Sequence, residues 1–483
     1  MKWNGISSPR AAGAKGNAVP WAERLDSALL GRLWEMAWPT VMYSLMETGV
    51  GLVDIYFAGY LGPEAVAAIG FSRQIFLVLM IGTLSITTGT ITLIAQNYGA
   101  RRFADASAVA YHSLILALLS GILFGAAGYA LAHVSLRLLG AEGEVLRGGT
   151  AYLKVLMGGV IFLMINYTTN AVFRAQGDTK TPMKIATVSN GLNIVFSYLL
   201  IFGWGLIPAF GVMGAAGATL LARLIGASWA VWILLNPTRA VHFAVRARFD
   251  WALFRRILDI GLPSGFSGFF RNGARILFFS ILAATTRGAD AVAAATVGFQ
   301  IRMLVVMPAL AFQVATAALV GQSIGARRMK TAEAYGWTSI AFCTAVMGAA
   351  SLLIFAASGP VMRFFSDSAA LHDLGIWALR FIALEQFCNG VAIVVSGVFT
   401  GAGDTRPPLR FTILSQWLLM LPLAYGFTMF SSLDFFGPWI AWALAPLVQL
   451  LLTLAHFIRG RWKIPFRAAG GRDHTESPPL NEA

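Results

Sequence analysis

Charge is scarce in this sequence. Only 12% of its 483 residues are Asp, Glu, Lys or Arg, against roughly 25% in a soluble domain. Hydrophobic residues make up 57%, and apolar runs of about 20 residues, long enough to cross a bilayer, recur along almost the whole length. That balance excludes a water-soluble globule. Cysteine is scarcer still: Cys343 and Cys388 are the only two, both inside apolar segments, which leaves no disulfide or zinc framework. The six histidines show no ligand spacing. No GxxxxGK[ST] loop, HExxH or GxSxG occurs, and no aspartate-rich pair that would hold magnesium and diphosphate, so a nucleotide-driven pump or a common hydrolase has no site here. The short alternating segments of a membrane barrel are missing too.

What is present reads as an all-α polytopic membrane protein. Twelve transmembrane helices are expected, over 34–60, 66–95, 107–132, 150–172, 183–205, 211–235, 254–285, 291–321, 334–358, 375–399, 409–430 and 437–459. The formal charge of +14 does not point to nucleic acid, because the basic residues sit in short loops between spans. One side carries Arg101, Arg102, Arg174, Lys180, Lys184, Arg239, Arg246, Arg248, Arg255, Arg256, Arg327, Arg328, Lys330, Arg406 and Arg410; the other carries only Arg137, Arg147, Arg287 and Arg363. The positive-inside rule places the first group and both termini in the cytoplasm. The stretch 1–27 is polar and basic, with no apolar core of a cleavable signal evident in it.

The chain is written twice. "PEAVAAIGFSRQI" (63–75) matches "ADAVAAATVGFQI" (289–301), "AQNYGARR" (95–102) matches "GQSIGARR" (321–328), and "FRAQGDTKTPM" (173–183) matches "FTGAGDTRPPL" (399–409). One constant offset carries 65 onto 291, 99 onto 325 and 177 onto 403. Agreement of three registers predicts six spans, duplicated. Six is even, so both halves cross the membrane in the same direction, a parallel repeat about an axis along the membrane normal. The expected division is a cytosolic tail (1–33), a first six-helix bundle (34–235), a cytosolic linker (236–253), a second bundle (254–460) and a second tail (461–483). In the "GDT" connectors, Gly177 and Gly403 supply a turn, Pro182 and Pro408 restart a helix, and Asp178 and Asp404 act as caps or loop anchors. The small-residue run "GVMGAAGAT" (211–219) predicts close helix packing.

Ionisable groups are costly in lipid, so each one inside a span is a functional candidate. The first span, "MYSLMETGVGLVDIYFAGYLG", holds Glu47 and Asp54. Their spacing of almost two turns puts both on one face with Gly51 and Ala58, about 10 Å apart along the axis and too far to chelate one ion. That separation argues against an intramembrane enzyme. Asp54 lies about 12 Å below the outer end, where a carboxylate can exchange a proton or ligate sodium; the plainer role is an ion pair with an arginine elsewhere. Glu47 is open to the same two roles. In the fifth span Asn190 and Asn193 are in helical register with Ser197 one turn on. Buried amides need partners, so they line a cavity with Asp54 or bind neighbouring helices. The second half does not repeat these acids. Its first span reads "LPSGFSGFFRNGARILFF", with Arg271 and Arg275 one turn apart, and the tenth span holds Glu385, Gln386 and Asn389. Arg271 must meet a carboxylate, a backbone cluster or an anionic ligand; Glu385 or Glu47 is the expected carboxylate, and otherwise Arg271 is the mobile counterion of Asp54 or touches substrate. Gln74 and Gln300 occupy matching positions and predict a shared role at a helix end or between the halves.

Together "VDIYFAGYLGPEAVAAIG", the two "GDT" connectors and the duplication resemble the multidrug and toxic compound extrusion (MATE) family of secondary transporters, over residues 34 to 460. The resemblance implies two six-helix bundles around a V-shaped central cavity, and export of drug-like organic cations against inflow of protons or sodium, with no cofactor. It implies that Asp54 is the cation-coupling acid of the first bundle, accompanied by Asn190 and Asn193. Ser197 stands where an aspartate is frequent in the family. Arg271 stands where sodium-coupled members carry a glutamate, and Asn389 where they carry an aspartate, so coupling is expected to run through Asp54 alone. Glu47, Arg271, Arg275, Glu385 and Asn389 are then candidates for substrate contact or ion pairs. An amphipathic, neutral or partly anionic substrate fits the arginines, and a lipid-linked precursor flippase of the same wider superfamily is the alternative. The expected setting is the inner membrane, with lipid as the surrounding partner and the monomer as the working unit.

Overall fold

The computed structural model describes residues 27–205, 208–243, 249–365 and 368–463. Most of the expected N-terminal tail, Arg246 and Arg248 of the linker, and the C-terminal tail from residue 464 lie outside the described residues. Within them the chain is a succession of helices: α1 (Ser27–Gly59), α2 (Pro63–Gly99), α3 (Phe103–Leu138), α4 (Gly143–Gly158), α5 (Val160–Ala175), α6 (Lys180–Phe202), α7 (Val212–Leu234), α8 (Trp251–Ala283), α9 (Gly288–Gly325), α10 (Met329–Phe365), α11 (Ala369–Ala402), α12 (Arg406–Phe430) and α13 (Phe436–Ile458). In hydrocarbon no water satisfies a backbone amide, so an apolar chain of this kind must close its hydrogen bonds within each segment.

Eight of these helices are long and apolar enough to cross a membrane, and a ninth span is made by α4 and α5 together. α1, α2 and α8, of 33, 37 and 33 residues, have the length but fall outside that set. Of these, α1 carries Glu47 and Asp54, and α8 carries Arg271 and Arg275. The expected fourth span is broken: α4 and α5 meet at an angle of 49°, at the pair Gly158 and Gly159, where the backbone of Gly159 closes on the Leu220 side chain of α7. A glycine pair is a common seat for such a kink. α12 contains a π-helical stretch, Ile413–Met420.

The copied connectors fold alike in their backbones. In both "GARR" turns the first arginine is left-handed, Arg101 at φ 59° and Arg327 at φ 57°, a conformation uncommon for any residue but glycine. In both, the next amide closes the helix end: Arg102 N donates to Asn97 O and Arg328 N to Ser323 O, each at 2.9 Å. In the "GDT" turns Gly177 and Gly403 take φ 89° and 84°, while Asp178 N and Asp404 N reach back to Phe173 O and Phe399 O at 3.0 and 2.9 Å. The Asp178 carboxylate accepts from Thr181 N and Oγ1 and meets Arg239 at 3.4 Å; Asp404 meets His456 at 3.3 Å. Helix starts repeat as well: Phe103 with Met329, and Lys180 with Arg406, stand at the offset of the sequence repeat.

The linker is strapped to the end of α3. His242 N donates to Ser107 Oγ at 3.2 Å, and Asp250 N to His112 Nε2 at 2.7 Å. Asp250 then caps α8 by accepting from Ala252 N. Phe249 and Trp251 beside it are exposed, as an interfacial anchor should be.

Glycines let the two halves touch backbone to backbone near the "GARR" end. A Cβ on Gly89 would lie 2.2 Å from Ile257 O, and one on Gly261 1.7 Å from Ser85 O, which welds α2 to α8. Gly99 sits in the same way on Gln322 O, and Gly325 on Gln96 O. Gly214, in the small-residue run of α7, presses on Leu200 O of α6, the close helix packing that run predicts.

Candidate functional site

Polar groups of the first half gather between α1, α5, α6 and α7. Glu47 on α1 is held by Arg223 on α7 through a fork: Nη1 donates to Oε1 at 2.9 Å and Nη2 to Oε2. Both side chains are under a fifth exposed, so each is the other's neutralising charge in a region with little water. Tyr43, one turn below Glu47, carries the Arg174 guanidinium over its ring at 4.7 Å and accepts from Asn170 Nδ2 at 3.2 Å. Asn170 also donates to Asn166 Oδ1 at 3.1 Å, which continues the polar stripe along α5.

Asp54 faces α6. Its Oδ1 accepts from Ser197 Oγ at 3.1 Å, and among the described residues no basic nitrogen comes within ion-pairing distance. Arg73 of α2 lies across Gly51, one turn below, with its guanidinium 3.1 Å from where a Cβ would be. Arg73 and Arg223 are thus near enough to act on Asp54 through space without bonding it. On α6 the stripe continues down from Ser197 to Asn193, whose Nδ2 donates to Thr219 Oγ1 at 3.3 Å, and to Asn190. Asn193 Oδ1 and Asn190 Nδ2 are buried without a hydrogen-bond partner among the described residues. Asp54 thus meets one hydroxyl of α6, and one turn down the same helix an amide oxygen, Asn193 Oδ1, is unsatisfied among the described residues beside Thr219. That set suits a proton held on Asp54, or a small hard cation taken by oxygen.

The second half is arranged differently. Glu385 on α11 is 2% exposed and takes Arg302 of α9 in a fork, Nε and Nη2 each at 2.9 Å. Gln386 Nε2 ties the same turn to Arg302 O at 2.8 Å, and the guanidinium lies over Phe299 and Trp442 at 5.7 and 5.9 Å. Asn389 is buried one turn further along α11.

Arg271 is where the sequence-based expectation fails. Neither Glu385 nor Glu47 is its partner, because each is already forked by another arginine, Arg302 and Arg223. Among the described residues Arg271 and Arg275 have no ion pair at all. The missed residue is Arg223. It is the only ionisable group in its apolar run, which by itself requires a partner in lipid; which acid it meets depends on helix rotation, which spacing along one helix does not give. Gln74 and Gln300 are both exposed, and the glutamines that bridge the halves are Gln96 and Gln322. Gln96 Nε2 donates to Gly401 O at 2.9 Å and Gln322 Nε2 to Ala175 O at 2.8 Å.

A family model described as MatE matches twice, over residues 39–199 and 263–426. Among curated proteins, a probable multidrug resistance protein NorM of Thermotoga maritima is 28% identical over 438 residues, 89% of this chain and 92% of that one. A protein of the same description from Geobacillus kaustophilus is 25% identical, covering 89% and 95%. Among solved structures, one described as the outward-facing conformation of a multidrug resistance MATE family transporter of the MOP superfamily aligns with TM-score 0.84 at 26% identity, over 92% of this chain and 99% of that one. A second, a MOP superfamily transporter from Pyrococcus furiosus described as having a binding pocket of reverse polarity, aligns equally well.

Proposed function

The chain belongs to the MatE family of membrane transporters, and on that premise we propose that it is a cation-coupled antiporter that exports amphipathic, drug-like small molecules by alternating access. It is an integral, multi-pass membrane protein; the proposal adds twelve spans in two parallel six-helix bundles around a central cavity, with the tails at 1–33 and 461–483 and the linker at 236–253 on the cytoplasmic side of the inner membrane. Support for the two bundles comes from the double family match and from the connectors whose backbone turns repeat. Export of varied compounds is supported by the multidrug resistance descriptions of the relatives.

The observation that carries coupling is the setting of Asp54. Of the three candidate acids Glu47, Asp54 and Glu385 it is the one without an arginine fork among the described residues, and it bonds Ser197 on α6, the helix whose Asn190 and Asn193 hold buried polar atoms without partners there. One cation, proton or sodium, enters on Asp54 with Asn193, Ser197 and Thr219 around it, and its arrival changes the charge of the face between α1 and α6. Glu47 and Glu385 are locked to Arg223 and Arg302 and act as fixed struts. The working unit is the monomer, and no cofactor enters the scheme. Dye export from purified protein in vesicles, with a proton or a sodium gradient imposed, tests the reading; export that ignores both gradients sinks it.

The second reading, a flippase for lipid-linked precursors, is favoured by one observation: among the described residues Arg271 and Arg275 stand without carboxylates, and would grip a phosphate. Transfer of a lipid-linked phosphate between leaflets, with no dye export, would select it.

A further inference from the structure

We propose that Arg271 and Arg275 form an oxyanion site for the transported compound, taking a carboxylate or phosphate group carried on an apolar body. This rests on the transport reading and names the substrate class that the second half accepts.

The two arginines extend a stripe along α8. Gly261 and Gly268 face α2, with would-be Cβ atoms 1.7 Å from Ser85 O and 3.3 Å from the Leu84 side chain. At about 100° per residue, Arg271 and Arg275 continue that same face toward the outer end of the helix. The opposite face is sealed: Trp417, from the π-helical stretch of α12, donates Nε1–H to Phe270 O at 2.9 Å and covers Gly273 with its ring. The guanidinium groups thereby lie off the face that Trp417 covers, on a side of α8 within reach of Arg302 of α9.

Among the described residues nothing neutralises them there. Glu385 and Glu47 are each forked by another arginine, and Asp54 is turned to Ser197. Arg302 is close enough to both arginines to repel them. Two like charges one turn apart disfavour each other, and an unpaired charge within a span marks a ligand path. Neither side chain is closed off; both are only half-buried. A guanidinium offers a planar fork of donors that matches carboxylate and phosphate in two-point contact, whereas an organic cation without an acid group would be repelled. Apolar surface for the body of such a compound lies one turn on along the same face, on Phe279, whose ring packs on Phe299.

The test is binding of a dansylated undecanoic acid and of its methyl ester to the full chain in phosphatidylcholine nanodiscs, read by dansyl fluorescence. Wild type should hold the acid about tenfold or more tighter than the ester, the scale of a charge-assisted hydrogen bond. Arg271→Gln/Arg275→Gln should bring the ratio close to one with ester binding unchanged, and Arg271→Lys/Arg275→Lys should keep most of the preference. Equal binding of acid and ester by wild type, or a preference that survives the double Gln variant, overturns the proposal. Adding phosphatidylglycerol separates two sources of the same chemistry: it weakens acid binding if a lipid headgroup occupies the pair and leaves it unchanged if the ligand comes from water. Dye export under an imposed proton or sodium gradient, measured in parallel on the Arg271→Gln/Arg275→Gln variant and wild type, reads a failure of the coupling proposal apart from a failure of the oxyanion site.

Discussion

Gln96 and Gln322 make the same bond in opposite directions across the protein. Gln96 gives its side-chain amide to the carbonyl of Gly401, and Gln322, its counterpart in the second half, gives its own to Ala175, the counterpart of Gly401 in the first. Gly99 and Gly325 complete the exchange, each seated on the backbone carbonyl of the other half's glutamine. The bonds lie beside the "GARR" turns, at the end that the basic loops assign to the cytoplasm. At the other end of α1, Tyr56 and Tyr60 are 61% and 64% exposed.

If the protein works by the proposed alternating access, those two bonds latch the end that the basic loops assign to the cytoplasm. Each is worth about 0.5–1.5 kcal/mol, so losing both shifts the balance between outward-open and inward-open forms by roughly 5–150-fold. Gln96→Leu/Gln322→Leu is expected to slow labelling of a cysteine placed at Tyr60 by a membrane-impermeant maleimide. The native Cys343 and Cys388 are buried and leave the readout clean. Unchanged labelling would show that the latch holds nothing shut.

Glu47 and Arg223 are predicted to be a structural pair. Glu47→Gln leaves a guanidinium buried without its charge partner, a loss of about 3–5 kcal/mol for a fully buried pair and less here because both groups keep some exposure. Thermal unfolding in detergent should fall for Glu47→Gln and for Arg223→Gln, and recover in part for the double change, where two amides meet. Single variants as stable as wild type would mean that the fork contributes little.

The loop before α13 should loosen in acid. Asp434 accepts from Thr286 N at 2.9 Å and from Thr286 Oγ1. Partial burial works against its charge, but these hydrogen bonds and Arg287 outweigh it and hold the carboxyl below its ordinary value of 3.8. A depressed folded-state value means the contact stabilises fully above the ordinary carboxylate range and is lost as pH falls through the lowered one. Hydrogen exchange at Thr286 should therefore stay flat from neutral pH down to about 4, after correction for intrinsic rates, and rise below it. A rise near neutrality would assign the protection to another group.

How much of this was readable beforehand follows from what repeats and what does not. The connectors and helix registers were legible because a duplicated sequence states its own alignment, and both "GDT" turns carry the positive-φ glycine their spacing predicts. The place of Asp54 opposite Ser197 was legible in part, since one-face spacing fixes which side chains of a helix travel together. The forks Glu47 with Arg223 and Glu385 with Arg302 were not, because each joins separate helices whose rotation about their axes the sequence does not state. The break at Gly158 and Gly159 was hidden by the apolar residues on both sides of it, which let the fourth span pass for one rod.

Asp54→Asn carries the greatest weight. Vesicles loaded with a dye and given an inward proton or sodium gradient should drive it out against its own gradient in wild type. In Asp54→Asn they should only exchange dye for dye, because substrate sites and the moving halves remain while the cation has no acid to enter on. Uphill export by Asp54→Asn at the wild-type rate would contradict the account.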